Sequence, residues 1–446
     1  MYKSWCIRTV VLAMLQAPHA HASASEQPIE SFVLNNGMQV IVLPNHRVPA
    51  VNHMLWYRIG AADDPRGKSG LAHYHEHLMF KGSPRFSPGE YVKLINQNGG
   101  EQNAFTGYDA TSYYVTIAKD RLPLAMELEA DRMRGLTVPD AEAESEKQVI
   151  IEERRQRIDN DPSALLAEQM NAALFRNHPY HLPIIGWQHE MLGLTKKDAL
   201  AFHEAYYHPN NAVLIVSGDI TAAELKPLAE KYYGVLPKKD VPARNWLAEP
   251  PSIAARSVTL HHKNVKQPVL TRVYEAPSVQ YGETDLAIPS FVLSHLLGGG
   301  KNSVLYRSLV VERKIAADVD VSYNFYTLGP SEFQIEIIPE NNANLEVIEK
   351  ALDEELAKFL KSGADMEALA RTKRLMQAEA IYAREGLTGM SNIVGWMVMS
   401  GLPPEELNRW TDVIGSVTSA EVQRAAQLII RPASSVTGYL LPEEAQ

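Results

Sequence analysis

Apolar and polar residues alternate from Phe32 to Leu43 on either side of Asn35-Asn36-Gly37, and that pattern predicts a hairpin closed by a tight turn. A strand is expected near Val51–Ile59, a helix from about Pro88 to Gln97, a strand pair across Asn103–Ala118 and an apolar strand at Ala212–Ser217. Two stretches break this rhythm. Ser69–Gly82, SGLAHYHEHLMFKG, reads as a short helix with Ser69 as its N-cap and a glycine at its end. Asp140–Asp159 is rich in helix formers, with acids early and arginines late, as the helix dipole prefers.

From about residue 235 to 258 prolines and charges collect without apolar periodicity, which is a linker signal. Beyond it the order of elements repeats. A strand at Val269–Tyr274 leads to a helix ending in His295-Leu296-Leu297-Gly298, then strands near Ala317–Tyr326 and Glu332–Ile338 and a long helix from about Leu345 to Leu360. The expected division is residues 1–24 as an export signal, 25–235 as a first domain, 236–258 as the linker and 259–446 as a second domain.

The chemistry concentrates in the first helix. His73 and His77 are four apart, so both imidazoles lie on one face, with Glu76 beside them. Two neutral nitrogens at that spacing suit a zinc ion, and the carboxylate between them suits a general base. The neighbouring His75 points away and reads as one more exposed histidine. A third protein ligand has to come from elsewhere, and the helix at 140–159 is the best source. There Glu146 and Glu153 stand two turns apart on one face, which Val149 and Ile150 mark as buried, while Glu152 points roughly 100° away.

His73-x-x-Glu76-His77 with Glu146 and Glu153 downstream resembles the pitrilysin-like M16 peptidases, the inverzincins. Asn103-Ala104-Phe105-Thr106 ahead of Thr111-Ser112-Tyr113-Tyr114, and the run from His178 to Gly218, extend the resemblance over most of the first half. It implies that His73, His77 and Glu153 hold one Zn2+ per chain, that Glu76 is the general base and that Glu146 supports a ligand from behind. It also implies an α+β fold of two homologous domains, each an antiparallel sheet covered by helices. Substrate is expected to add as a strand along Asn103, Ala104, Phe105 and Thr106. Overlaying the two helix ends puts Phe291 at the place of His73 and Ser294 at that of Glu76, so the second copy is expected to be degenerate.

One departure from the family pattern changes the picture. Active members supply an arginine and a tyrosine seven residues apart from a degenerate half, and here Val310 and Ala317 occupy those places. The resulting expectation is a catalytic subunit of a heterodimer whose homologous M16 partner donates the pair, with a homodimer as the fallback. A scaffold subunit without activity and a peptidase that removes targeting peptides are the competing readings. Gly298-Gly299-Gly300-Lys301-Asn302 lacks the upstream glycine and the hydroxyl residue of a phosphate loop and reads as a turn. The pairs His178/His181, His203/His208 and His261/His262 have no acid at helical spacing and read as structural.

Lys3 and Arg8, the apolar Val10–Leu15 and Ala22-Ser23-Ala24 predict export, to the periplasm if the source is a Gram-negative bacterium. That apolar run is too short to be a membrane span. A net charge of −10, more negative still without Lys3 and Arg8, argues against nucleic acid as a partner. The single cysteine, Cys6, precedes the apolar run, so the mature chain is expected to hold together through its core without disulfides.

Overall fold

The computed structural model describes residues 29–340, 343–384 and 386–443. The predicted export segment lies outside them. The first half carries strands β1 (Glu30–Val33), β2 (Gln39–Pro44), β3 (Ala50–Tyr57), β4 (Glu101–Thr106), β5 (Thr111–Ala118) and β6 (Ala212–Gly218). Its helices are α1 (Leu71–Leu78), α2 (Glu90–Gln97), α3 (Leu122–Arg134), α4 (Asp140–Arg154), α5 (Pro162–Leu174), α6 (Gln188–Met191), α7 (Lys196–Tyr206) and α8 (Ala222–Tyr232). The second half carries β7 (Arg256–His262), β8 (Val269–Ala276), β9 (Ala316–Tyr323), β10 (Ser331–Pro339) and β11 (Ser435–Pro442). Its helices are α9 (Ala287–Gly298), α10 (Leu345–Ser362), α11 (Met366–Tyr382), α12 (Leu387–Met399), α13 (Glu406–Ser416) and α14 (Ser419–Ile429).

The strand orders are β1-β2-β6-β3-β5-β4 and β7-β11-β8-β10-β9. Dropping β1 makes them the same order, so the repeated pattern is a repeated topology. The sheets are not purely antiparallel, because β2 pairs with β6 and β7 with β11 in parallel. In each half the last strand returns from a helix and inserts between two earlier strands, and such a crossover brings a strand back in the same direction.

Each sheet lends its second face to the other half. The first sheet packs α1, α3 and their neighbours on one side and Val394, Met397 and Trp396 of α12 on the other. The second packs α9, α10 and α14 on one side and Leu166, Met170 and Leu174 of α5 on the other. Strands covered twice need apolar residues at both parities, which is why β6, AVLIVSG, is buried at every position. Close approach at these crossed contacts demands glycine. A Cβ on Gly395 of α12 would sit 2.1 Å from the Trp56 indole, and one on Gly438 of β11 would sit 2.2 Å from Met170 Sδ. Between α8 and β7 there is no helix or strand, yet Arg244 in that stretch binds both carboxylate oxygens of Asp63 and ties it to the first domain.

Candidate active site

Helix α1 begins one residue later than the SGLAHYHEHLMFKG pattern suggests, and Ser69 is not its cap. The Ser69 hydroxyl instead accepts from the Trp187 N–H at 2.9 Å. Gly70, at φ 85°, takes the cap position, and the Asp64 carboxylate accepts from the N–H groups of Gly70, Leu71 and Ala72 at 2.8, 3.2 and 2.8 Å. A side chain on Gly70 would collide with the Ile185 carbonyl at 2.4 Å, so this left-handed corner is also a backbone crossing. The helix ends at Leu78; Gly82 lies past it, held close to Thr137.

On α1 the rings of His73 and His77 face one another with centroids 4.7 Å apart. Helix α4 brings Glu153 against them, its Oε2 lying 3.2 Å from His77 Nε2 and 3.6 Å from His73 Nε2. One nitrogen from each histidine and one Glu153 oxygen all lie within 4.8 Å of one another, and no other such group of three occurs among the described residues. Glu146, two turns earlier on the same helix, hydrogen-bonds His77 Nδ1 through Oε1 at 2.8 Å and pairs with Lys81 through Oε2. Arg157 takes the other oxygen of Glu153 at 2.7 Å. Glu152 faces solvent and is engaged by Arg155 and Gln156.

Two expectations about burial are corrected. His75 is fully buried, its Nε2 3.1 Å from His203 Nδ1 and its ring against Tyr207, because the side of α1 away from the groove packs on α7. Val149 is 46% exposed, and the buried stripe of α4 runs through Ala143, Glu146, Ile150 and Arg154, the spacing a straight helix presents to one neighbour.

Glu76 is buried, and the Thr106 hydroxyl donates to its Oε2 at 2.5 Å. Burial raises the Glu76 carboxyl above its ordinary range, with the Thr106 bond pulling the other way. Burial also drives His73 down to about 3, so it stands neutral, the form in which imidazole binds a metal. Burial works against protonation of His77 too, but hydrogen bonds to Glu146 and Glu153 outweigh it and lift the ring to about 9. Three carboxyl groups around one imidazole make this a place where a cation is stabilised. Two imidazole nitrogens, one carboxylate oxygen and a carboxylate-oriented histidine fit zinc in both donor type and spacing.

The site opens into a groove of about 910 Å3. Asn103, Ala104, Phe105 and Thr106 of β4 form part of its wall, and β4 is the end strand of its sheet, so among the described residues one side of its backbone has no strand neighbour. Behind it Phe105 is wedged between Trp56 and Trp396, the latter from α12. In the second half the place of α1 is taken by α9, where Phe291 packs against Phe325 and Trp410, and the Ser294 hydroxyl donates to the Phe291 carbonyl. Val310 packs on the second core and Ala317 is exposed on β9. Gly298 lets α9 end against Val321, where a Cβ would come within 2.3 Å, which accounts for the first glycine of that loop structurally.

The family model described as insulinase, peptidase family M16, matches residues 39–187, and the model described as peptidase M16 inactive domain matches residues 193–376. The chain belongs to the M16 peptidase family. Among M16 relatives, the zinc protease PqqE of Helicobacter pylori is 29% identical over 442 residues, 98% of each chain. An uncharacterized zinc protease of Mycobacterium tuberculosis H37Rv is 28% identical over 366 residues, 80% of this chain and 78% of that one. A protease structure from Helicobacter pylori superposes with a TM-score of 0.86 at 27% identity, covering 93% of this chain and 99% of the other. The M16 fold is also shared with the Escherichia coli periplasmic protease PqqL, at a TM-score of 0.80 and 20% identity, with 93% of this chain matching 47% of that one.

The groups that motif reading missed are Asp64, Arg157 and Trp396. Only Arg157 carried a sequence signal, standing four residues after Glu153 on the same helical face.

Proposed function

We propose that this chain is a zinc-dependent endopeptidase acting on peptides or unfolded polypeptides. The observation that carries the reading is the convergence of His73, His77 and Glu153 on one point of a groove that Glu76 and the free edge of β4 also line. Held there by those three side chains, zinc supplies Lewis acidity toward the scissile carbonyl and toward water. Glu76 takes the proton of the attacking water and passes it to the leaving amine; its raised affinity for protons suits both halves of that task. Thr106 fixes the Glu76 rotamer, and Glu146 fixes the His77 ring. The β4 backbone binds substrate as an added strand, a mode that reads main chain more than side chains and so accepts many sequences.

With Val310 and Ala317 where a substrate-clamping pair is expected, the chain works as one subunit of a heterodimer completed by a homologous M16 partner. The Escherichia coli PqqL chain is about twice as long as the part matched here, which supports two M16 halves-of-two as a working unit. The N-terminal segment supports export, to the periplasm if the source is a Gram-negative bacterium. No helix among the described residues is long and apolar enough to cross a membrane.

The test is peptide hydrolysis by the purified chain with zinc quantified in the same sample, alone and mixed with a homologous partner. Zinc near one per chain with activity appearing in the mixture is expected; full activity alone leaves the homodimer reading. The second reading, a scaffold subunit, draws on the absent pair and on the fold shared with a Pseudomonas fluorescens structure named as a peptidase M16 inactive domain, at 17% identity. Absence of zinc from a folded, metal-replete sample would establish it.

A further inference from the structure

The two oxygens of the Glu153 carboxylate have different neighbours. Oε2 faces both imidazoles, 3.2 Å from His77 Nε2 and 3.6 Å from His73 Nε2, whereas Oε1 lies 2.7 Å from Nη2 of Arg157. Arg157 stands on a π-helical turn, Arg155–Asp159, that continues α4, and it lines the groove. Turns of this kind are rare and recur at functional sites. The backbone beside it is pinned from another direction. Arg154 is buried, binds both carboxylate oxygens of Glu168 on α5 and donates to the Gly186 carbonyl at 2.9 Å. Gly186, at φ 94°, lies against the start of α1, where a Cβ on it would come within 2.4 Å of the Ser69 carbonyl. The end of α4 and the start of α1 are therefore tied through one residue, and what remains for Arg157 to set is the Glu153 side chain.

Cations are distributed unevenly over the carboxylates of the site. Lys81 pairs with Glu146 and Arg157 with Glu153, whereas Glu76 pairs with no cation among the described residues and is held by the Thr106 hydroxyl. The two carboxylates that act as ionised groups have a cation each, and the one that has to take up a proton has none. The guanidinium on Glu153 also has a geometric consequence. A carboxylate can bind a metal ion through one oxygen or through two, and a catalytic zinc site has to keep a position open. With Oε1 committed to a charge-assisted hydrogen bond, Glu153 presents Oε2 alone.

We propose that Arg157 is a positioning residue that restricts Glu153 to one-oxygen binding of the metal and so keeps a coordination position available for the reaction. The inference rests on the zinc peptidase reading and adds the group that decides how one of the three ligands is presented.

The test compares zinc-loaded crystals of the full-length chain with those of Arg157→Met and Arg157→Lys. In the unaltered chain one Glu153 oxygen is expected within about 2.2 Å of zinc, with the other on Arg157. Arg157→Met should bring both oxygens onto the metal, and Arg157→Lys, which keeps a cation at similar reach, should restore the single contact. Zinc affinity of Arg157→Met, by chelator competition, should not fall, while turnover in the mixture in which the unaltered chain is active should drop about 10- to 100-fold in kcat at unchanged KM. Weaker zinc binding together with a lower unfolding temperature would mark Arg157 as merely structural and overturn the inference, as would one-oxygen binding in Arg157→Met; either result leaves the peptidase reading standing. Absence of zinc from His73, His77 and Glu153 in the unaltered, metal-replete chain overturns both.

Discussion

Asp64 holds the start of α1, and its removal tests whether that helix is preorganised from outside the motif. The carboxylate accepts from the first N–H groups of α1, the donors that a helix cannot satisfy internally. Burial pushes this carboxyl up, and the bonds from Ala72, Gly70 and Leu71 draw it back. A single cap residue is worth about 1 kcal/mol, and a hydrogen bond to a charged group about 1.5–3 kcal/mol. With three such bonds shared by one group, and water able to replace part of them, Asp64→Ala should cost about 3 kcal/mol and Asp64→Asn, which retains one acceptor oxygen, about half of that. The loss falls on the first turn, and His73 is its third residue. Zinc affinity, measured by chelator competition, should therefore drop about tenfold or more for Asp64→Ala, since about 1.4 kcal/mol of fraying is enough for that factor. The amides of Gly70, Leu71 and Ala72 should exchange faster with solvent deuterium while those of β3 stay protected. Unchanged exchange at these amides together with unchanged zinc affinity would refute the reasoning.

Glu76→Gln should keep its zinc and lose turnover, because it removes a base and not a ligand; metal content and hydrolysis are read on one sample. Glu153→Gln should weaken zinc binding and Glu152→Gln should not, whereas Glu146→Gln should weaken it about 10- to 100-fold by freeing the His77 ring, all by chelator competition. Gly395→Ala should destabilise the protein by about 1–3 kcal/mol in thermal or urea unfolding, because the new methyl overlaps the Trp56 ring that the first sheet shares with α12. The pH dependence of stability should show His53, which is fully buried near Glu129 and Arg132 and bonded to the Tyr233 hydroxyl. Burial lowers its pKa from 6.5 to about 4, so its contribution is complete above about pH 6.5 and lost as pH falls through 4, about 3 kcal/mol in all. His53→Gln should flatten that part of the unfolding profile.

How far the sequence reads depends on the range of the interaction. The i, i+4 histidines, the seven-residue spacing of Glu146 and Glu153 and the Asn-Asn-Gly hairpin are local regularities, and the structure places them on α1, α4 and the β1–β2 turn. Where the readings failed, a distant partner intervened. His75 looked like a solvent residue until α7 covered it, and Ser69 looked like a cap until Asp64 filled that role and Trp187 claimed the hydroxyl. Strand β7 lay at the end of what read as linker, since its alternating RSVTLHH pairs with β11 near the far end of the chain.

The order of residues alone determined the repeated elements, the histidine pair with its acid, and the degenerate counterpart at Phe291 and Ser294, because backbone propensity and helical spacing act within a few residues. Only the tertiary structure decided that α5 and α12 cross between the halves and that Phe105 of β4 is buttressed by Trp396. An apolar face specifies that it must be covered but not by which segment; that choice belongs to shape and chain geometry summed over the whole molecule.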